Sequence, residues 1–345
     1  MRLTRRGILG AGIGAAAAFG GARLPLAWAE TREPAGAGQV TVEAKPIASL
    51  YPPEPDRTKF GALTFRSGLV LTSDAPGFGG LSGLWRSPDG RQLVAVTDRA
   101  QWLTASVRYD GPRLAGLDEA RLAAIRNADG EPLRRAQGYD TESLAITDDG
   151  TAYVGVERLN EILRFAWGRD GVLARGSGLP VPPELKQLPN NEGLETLAVA
   201  PARHPLAGSV VAIAERARSG DDAATRGWAL TGSRPFGFDV VRRDGFDITD
   251  LVFLPSGEAL LLERRFRILT GVACRIRRIA ADAFRPDAAV DGEVIFEADR
   301  SYEIDNMEGI AIHEDRSGGG TVVTLVSDNN FSILQRTLLL EFALS

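Results

Sequence analysis

Five stretches of this 345-residue chain share one form: a short apolar strand, a turn, and a second strand that ends on an acid. They are "LSGLWRSPDGRQLVAVTDR" (81–99), "TESLAITDDGTAYVGVER" (141–158), "LETLAVAPARHPLAGSVVAIAER" (194–216), "ITDLVFLPSGEALLLER" (248–264) and "MEGIAIHEDRSGGGTVVTLVSDN" (307–329). Turns such as Ser-Pro-Asp-Gly, Asp-Asp-Gly and Pro-Ser-Gly supply the positive-φ positions of a tight hairpin. Second strands such as "QLVAVTD" and "TAYVGVE" carry the β-branched and aliphatic residues of a buried sheet.

One position in each unit (Ser82, Glu142, Glu195, Thr249, Glu308) recurs at a nearly constant interval. That interval has room for four short strands with their loops, and a repeat of four antiparallel strands is a propeller blade. The expected fold is therefore an all-β propeller of about five four-stranded blades. Six blades is the competitor, should a degenerate blade hide in 100–139 or 275–305. The chain ends too soon after Glu308 for a full blade, whereas "ALTFRSGLVLT" near the start reads as a strand without a unit. Pairing it with "RTLLLEFAL" at the C-terminus would close the ring and remove two exposed sheet edges. The stretch "GLDEARLAAIR", with Asp118 as a cap and Leu117, Leu122 and Ile125 as its apolar positions, reads as a short inserted helix.

Positions 1–29 have the layout of an export signal: a basic start, a run of mostly Gly and Ala over 8–21, and Ala27-Trp28-Ala29 as a cleavage site. Paired arginines in Thr4-Arg5-Arg6-Gly7-Ile8-Leu9 resemble a twin-arginine signal, whose partner is the twin-arginine translocation machinery. The expected organisation is a signal at 1–29, an irregular leader rich in Pro, Gly and Ala at 30–59, and a propeller domain at 60–345. The expected location is periplasmic or secreted, with no stable membrane insertion after cleavage. The signal holds arginines and no acids, so its removal makes the formal net charge of −5 more negative, a balance that does not favour nucleic acid. Cys274 is the one cysteine, so no internal disulfide can form.

In a blade the innermost strand starts on the face of the disc where the second strand ends. Two columns should therefore meet at one mouth of the channel: Ser82, Glu142, Glu195, Thr249 and Glu308, and Asp98, Glu157, Glu215, Glu263 and Asp328. Gathering so many carboxylates is costly without cations among them. Two kinds of cation are open. Arg99, Arg158, Arg216 and Arg264 follow four of the acids and could tie neighbouring blades together. Alternatively, a bound hard cation with oxygen ligands, with Ca2+ the expected ion, could sit among the surplus acids, with Asp140, Asn191, Asn306, Asn329 and Asn330 nearby. His204 and His313 fall near hairpin turns on the opposite face and read as surface turn residues. Ser82 lacks the spacing of a nucleophile elbow.

The run "GYDTESLAITDDGTAYVGVERLNEILRF", then Leu179-Pro180 and "NNEGLETLAVAP", is similar to the phytase-like proteins described by an esterase-like activity of phytase. The resemblance covers about 60–340. Its most specific pieces are Asp140-x-Glu142, Glu157-Arg158, Asn191-Glu192-Gly193-Leu194-Glu195 and Asn306-Met307-Glu308-Gly309. It implies an exported propeller and, by analogy with β-propeller phytases, calcium ions ringed by acids acting on an ester. The expectation is a calcium-dependent hydrolase of phosphate or carboxylic esters acting on a small anionic substrate. Glu142, Glu157, Glu195, Glu215, Glu308 and Asp328 would ligate metal, Glu195 and Glu142 would be catalytic, and Arg158 and Arg216 would hold the anionic group. No basic cluster suits a highly phosphorylated inositol, which argues against phytate. The alternatives are a non-catalytic periplasmic propeller that binds a partner or envelope component, and a lactonase-like metal-dependent hydrolase.

Overall fold

The structure is a computed structural model that describes residues 38–189, 193–216, 224–232, 235–315 and 319–345, without the side chain of Arg135. The export signal expected over 1–29 and Asn191 lie outside these residues. Each of the five sequence units forms the inner pair of strands of one sheet, and the chain then runs outward. Blade 1 orders Leu81–Arg86, Gln92–Thr97, Gln101–Asp110 and Arg113–Ala124 from the channel outward. Blade 2 orders Thr141–Ile146, Ala152–Val156, Glu161–Phe165 and Ser177–Gly178. Blade 3 orders Leu194–Val199, Val210–Ala214, Thr225–Ala229 and Phe236–Val240, with Ala289–Val290 added in parallel at its edge. Blade 4 orders Asp247–Phe253, Ala259–Arg267, Gly271–Ile279 and Glu293–Asp299.

Blade 5 is assembled from both ends of the chain. Its inner strands, Asn306–Glu314, Thr321–Asp328 and Thr337–Leu344, are followed by Leu63–Thr72 and Glu43–Ile47. Leu63–Thr72 runs antiparallel to Thr337–Leu344, with Leu63 opposite Leu344 and Leu71 opposite Thr337. The expected ring closure is thus present. Among the described residues the count is five, because 100–139 supplies outer strands of blade 1, and 275–305 supplies outer strands of blade 4 and the added edge of blade 3, with no sixth blade. The leader is partly ordered into the ring: Gly38–Gln39 edges blade 1 and Glu43–Ile47 edges blade 5. No helix among the described residues is long and apolar enough to cross a membrane.

The helix expected around Leu117 is instead the outer strand Arg113–Ala124 of blade 1. Glu119 has φ +53° and the register with Gln101–Asp110 shifts here, so an extra residue is bulged out. A bulge breaks the two-residue alternation. The buried residues Leu117, Ala120 and Leu122 then fall at a spacing that imitates a helix.

Both faces of a blade are covered, so the second strands carry continuous apolar runs, such as "VVAIA" of blade 3 and "ALLL" of blade 4. The core is divided into five inter-blade clusters. Between blades 4 and 5, for example, Leu260, Leu262 and Phe296 meet Met307, Leu325 and Phe342. Between blades 1 and 2, Val96 and Trp102 meet Val154 and Phe165, with the Trp102 and Phe165 rings edge-on at 5.3 Å.

Blades 5 and 1 are also joined by a buried polar network. Arg86, with no exposed side-chain surface, donates to Glu341 (2.9 Å), Thr324 (3.0 Å) and Tyr109 (2.8 Å), and the Tyr109 hydroxyl donates to Glu341 at 2.7 Å. His313 packs beside it, its Nε2 3.5 Å from the Tyr109 oxygen. Both histidines are buried, against the expectation of surface turn residues. His204 stacks edge-on against Phe253 (4.9 Å) and accepts from the Leu206 N–H through Nδ1.

Two outcomes follow from this packing. Phe342 is fully buried and packs on Phe65 and Phe296 at 5.6 and 5.4 Å. Phe342→Ala should destabilise the protein by about 3–5 kcal/mol in urea unfolding. His313 has its pKa lowered from 6.5 to about 3, first by burial and then by Arg86 and Arg66, against Asp315 and Asp89. A group with a depressed histidine pKa binds its proton only in the unfolded chain between those values, so stability should fall as pH drops from 6.5 towards 3. His313→Gln should flatten the melting-temperature profile across that window, read by scanning calorimetry.

Candidate functional site

The inner strand of every blade breaks its ladder at one equivalent point. The pairing skips Ser82 and Gly83 in blade 1, Glu142 in blade 2, Glu195 in blade 3, Thr249 in blade 4 and Glu308 in blade 5. These are the residues of the first column. A bulge leaves the extra residue unpaired and re-aims its side chain, which is why such features recur beside functional sites. On the second strands, Asp98, Glu157, Glu215, Arg264 and Asp328 follow at the matching level. The N–H groups of Asp98, Glu157 and Glu215 donate to the carbonyls of Gly80, Asp140 and Gly193, at 2.9, 2.8 and 2.9 Å. The main chain thus fixes both columns against each other.

The blade 4 member of the second column is Arg264, not Glu263. Ile248 lies opposite Glu263 within the ladder, as Leu194 lies opposite Ala214 in blade 3, so Arg264 is the equivalent of Glu215. Glu263 points the other way. It is fully buried and takes Arg275 (2.8 Å) and Arg277 (2.7 Å) as ion partners.

All eight residues singled out from the sequence, Glu142, Glu157, Glu195, Glu215, Glu308, Asp328, Arg158 and Arg216, line a single cavity of about 840 Å³ at the channel mouth. Sequence reasoning missed Asp305, Arg300 and the column position of Arg264, which line it too. The cavity wall holds nine acids and four arginines. Carboxylate oxygens of Asp140, Glu142 and Glu157 lie within 4.8 Å of one another, and so do those of Glu157, Glu195 and Glu215. Glu157 belongs to both groups, so five carboxylates form one continuous run across blades 2 and 3.

The arginines are engaged at its edges. Arg158 pairs with Asp140 at 2.7 Å. Arg216 reaches Asp247 of blade 4 at 2.6 Å. Arg264 bridges Glu215 (3.2 Å) of blade 3 and Glu308 (3.0 Å) of blade 5. Arg99 stacks over the Phe331 ring at 3.3 Å, tying blade 1 to the last loop. Three of the four column arginines therefore connect blades, the structural role weighed from the sequence. Ser82 donates its hydroxyl to Glu142 Oε2 at 2.6 Å and is a partner of the acid cluster rather than a nucleophile.

Electrostatics follow from this crowding. Burial, then Asp140, Asp98 and Glu157, push the Glu142 carboxyl well above the usual carboxylate range, against the Ser82 hydrogen bond. Glu195 is raised well above it too, by burial and by Glu142, Glu215, Glu308 and Glu157. Glu157 rises to about 7 through burial, Glu215 and Asp140, although the Gly193 N–H and Arg158 oppose this. Glu308 rises to about 8 through burial, Asp328 and Glu215, with Arg264 and Asn306 pulling down. Burial opposes the charge on Arg264, but Glu308, Glu215, Glu195 and Asp247 outweigh it and raise its pKa. The negative charge of blades 2 and 3 therefore exceeds what the arginines balance. Burial and mutual repulsion favour the protonated forms of Glu142, Glu157 and Glu195, and a metal ion bound there would displace those protons.

The donor set fits a hard cation. It is all oxygen, with no thiolate or imidazole, which suits calcium or magnesium rather than zinc or copper. Glu308 Oε2 is buried without a hydrogen-bond partner, an acceptor still to be satisfied.

A five-bladed propeller with an acid-lined channel mouth able to hold metal ions is the class that fold and site define. Within that class the chain belongs to the phytase-like family, described by the esterase-like activity of phytase, whose match spans residues 76–331. No curated protein matches the chain. Among solved structures it is similar to a Thermus thermophilus protein described as a putative oxidoreductase (glucose dehydrogenase), at 16% identity and a TM-score of 0.34 over 86% of this chain and 100% of that one.

Glu263 gives a sharp test of the column assignment. Glu263→Gln would leave Arg275 and Arg277 buried without their shared anion, and breaking such a cluster costs about 3 kcal/mol or more. Urea unfolding should show that loss, while metal binding by the remaining protein, titrated calorimetrically, should be unchanged.

Proposed function

We propose that this protein is an exported, calcium-dependent hydrolase of phosphate or carboxylic esters, working at the acid mouth of the propeller. The observation that carries this reading is the run of five carboxylates through Asp140, Glu142, Glu157, Glu195 and Glu215, joined through Glu157 and outnumbering the arginines at its edges. Membership of the phytase-like family supports the ester chemistry.

Glu142, Glu157, Glu195 and Glu215 would hold the ion, with Glu308 and Asp328 completing the ring from blade 5. When bound, calcium supplies charge to polarise the ester and to bring a water towards ionisation. The chain supplies the rest. Glu195 and Glu142, whose carboxyls burial and neighbouring acids raise well above the usual carboxylate range, would each either ligate the ion or serve as the base for the water. Arg158 and Arg216 are each about two-fifths exposed at the edge of the cavity, so their outer faces can meet an anionic group while their inner contacts keep them in place.

The paired arginines and the Gly/Ala run near the N-terminus support export by the twin-arginine machinery to the periplasm or outside the cell. The net negative charge argues against nucleic acid as the substrate, and a small anionic ester would be recruited through the metal.

Calcium titration of the purified protein by calorimetry should show binding that chelator abolishes, and hydrolysis of p-nitrophenyl phosphate or p-nitrophenyl acetate should follow it. Glu195→Gln should fold, with a melting temperature in chelator at least that of the parent, and lose calcium affinity by about tenfold or more. Absence of calcium binding in the parent, or chelator-insensitive hydrolysis, would remove this reading.

A further inference from the structure

Eight large hydrophobic side chains are exposed among the described residues, and five of them, Phe266, Ile268, Leu269, Ile333 and Leu334, sit in two segments that flank the acid cavity. Isolated exposed hydrophobics need no explanation, but a cluster beside a cavity does. Phe266 (65% exposed) and Leu334 (87%) line the same cavity as the acids, together with Val272.

Both segments are held in place. The second and third strands of blade 4 run nine residues each, against five or six for the second strands of blades 1 to 3. Their hairpin therefore extends past Arg264 and overhangs the mouth. Arg265 and Arg267 donate to the Asp244 carbonyl at 3.0 and 3.1 Å, and Arg265 stacks on Phe246 at 4.4 Å. These contacts fix one face of the hairpin to the body of the propeller. Phe266, between them in a strand, faces the opposite side, towards the cavity. On blade 5, Asn329 Oδ1 accepts from the Gly80 N–H at 3.0 Å and Arg99 covers the Phe331 ring. That anchoring presents Leu334 a short way along the same loop.

We infer that Phe266, Val272 and Leu334 form an apolar subsite, so that the substrate is an amphiphilic anionic ester: a charged head among the blade 2 and 3 acids and a hydrocarbon or aryl group against blades 4 and 5. The inference rests on the hydrolase reading for its anionic head, and on the exposed apolar wall alone for its tail. The wall belongs to a cavity of small-molecule size, which selects a monomeric ester in solution over a membrane surface.

Methyl-, butyl- and octylphosphonate, titrated into the full-length protein with calcium below their micelle concentrations, should bind with affinity rising about two- to fourfold per methylene over the first few carbons. Phe266→Ser/Leu334→Ser, two exposed positions whose folding is checked by circular dichroism, should lose that gradient. In chelator, a matching n-alkylammonium series reads the same wall against the bare acids and should show the same gradient. If neither series gains affinity with length, or if the double variant keeps the gradient, the subsite is overturned. A gradient confined to the ammonium series would overturn the anionic ester, and with it the hydrolase reading, while leaving the apolar wall. Binding to phosphatidic acid vesicles without a gradient among the monomeric phosphonates would overturn the soluble substrate.

Discussion

The site depends on a break in backbone pairing that recurs in all five inner strands. A regular ladder would alternate side chains between the two faces of each blade, and both faces are buried against neighbouring blades. A carboxylate placed there would have to be desolvated in an apolar core. Skipping one residue takes Glu142, Glu195 and Glu308 out of that alternation and points them at the channel mouth. The same break lets inner strands approach closely. A Cβ on Gly83 would meet the Leu144 main-chain nitrogen of blade 2 at 2.3 Å, and one on Gly309 would meet the Ser82 carbonyl of blade 1 at 2.3 Å. Tight contact between blades and the presentation of acids are two results of one backbone device.

The fold was readable from sequence because its signals are local. Turn chemistry marks each hairpin, and the steady interval between units gives the blade. Even the ring closure could be inferred, since the last unit lacks a strand and the first segment has one to spare. The helix expected over 116–126 fails for an equally local reason: a bulge at Glu119 shifts the apolar period from two towards three. Burial of His204 and His313 was not readable, because it arises from contacts with segments that are distant in sequence.

At the site, residue type misled where spacing would have guided. Glu142 precedes Glu157 by the same interval at which Thr249 precedes Arg264, because both hairpins have the same length. Following the acid rather than the interval put Glu263 in the ring. The ladder places it one residue short, with its side chain turned towards Arg275 and Arg277. The apolar side of the cavity left no comparable trace in the sequence. Phe266 and Leu334 become a wall only because one hairpin is longer than its neighbours and one loop is pinned by Asn329 and Phe331.

Departures from five-fold repetition are what give the mouth a direction. Blade 4 contributes Thr249 and Arg264 where blades 2 and 3 each contribute two glutamates, and blade 1 contributes Ser82 with Asp98. Negative charge is therefore densest over blades 2 and 3, while Arg264 binds Glu215 and Glu308 on the far side of that run. A symmetric ring with an acid at every column position would repel in every direction and favour a cation on the axis, equidistant from all blades. The asymmetric ring would instead hold a cation near Glu157, the residue common to both carboxylate groups. The rest of the cavity lies beside blades 4 and 5, where Phe266, Val272 and Leu334 join Glu308, Asp328, Asp305 and Arg300 in the lining. Carboxylate densest on one side and an apolar patch on the other would orient a molecule with a polar head and an apolar tail, and the arrangement arises here from the departures of blades 1 and 4 together with one extended hairpin and the loop that carries Leu334.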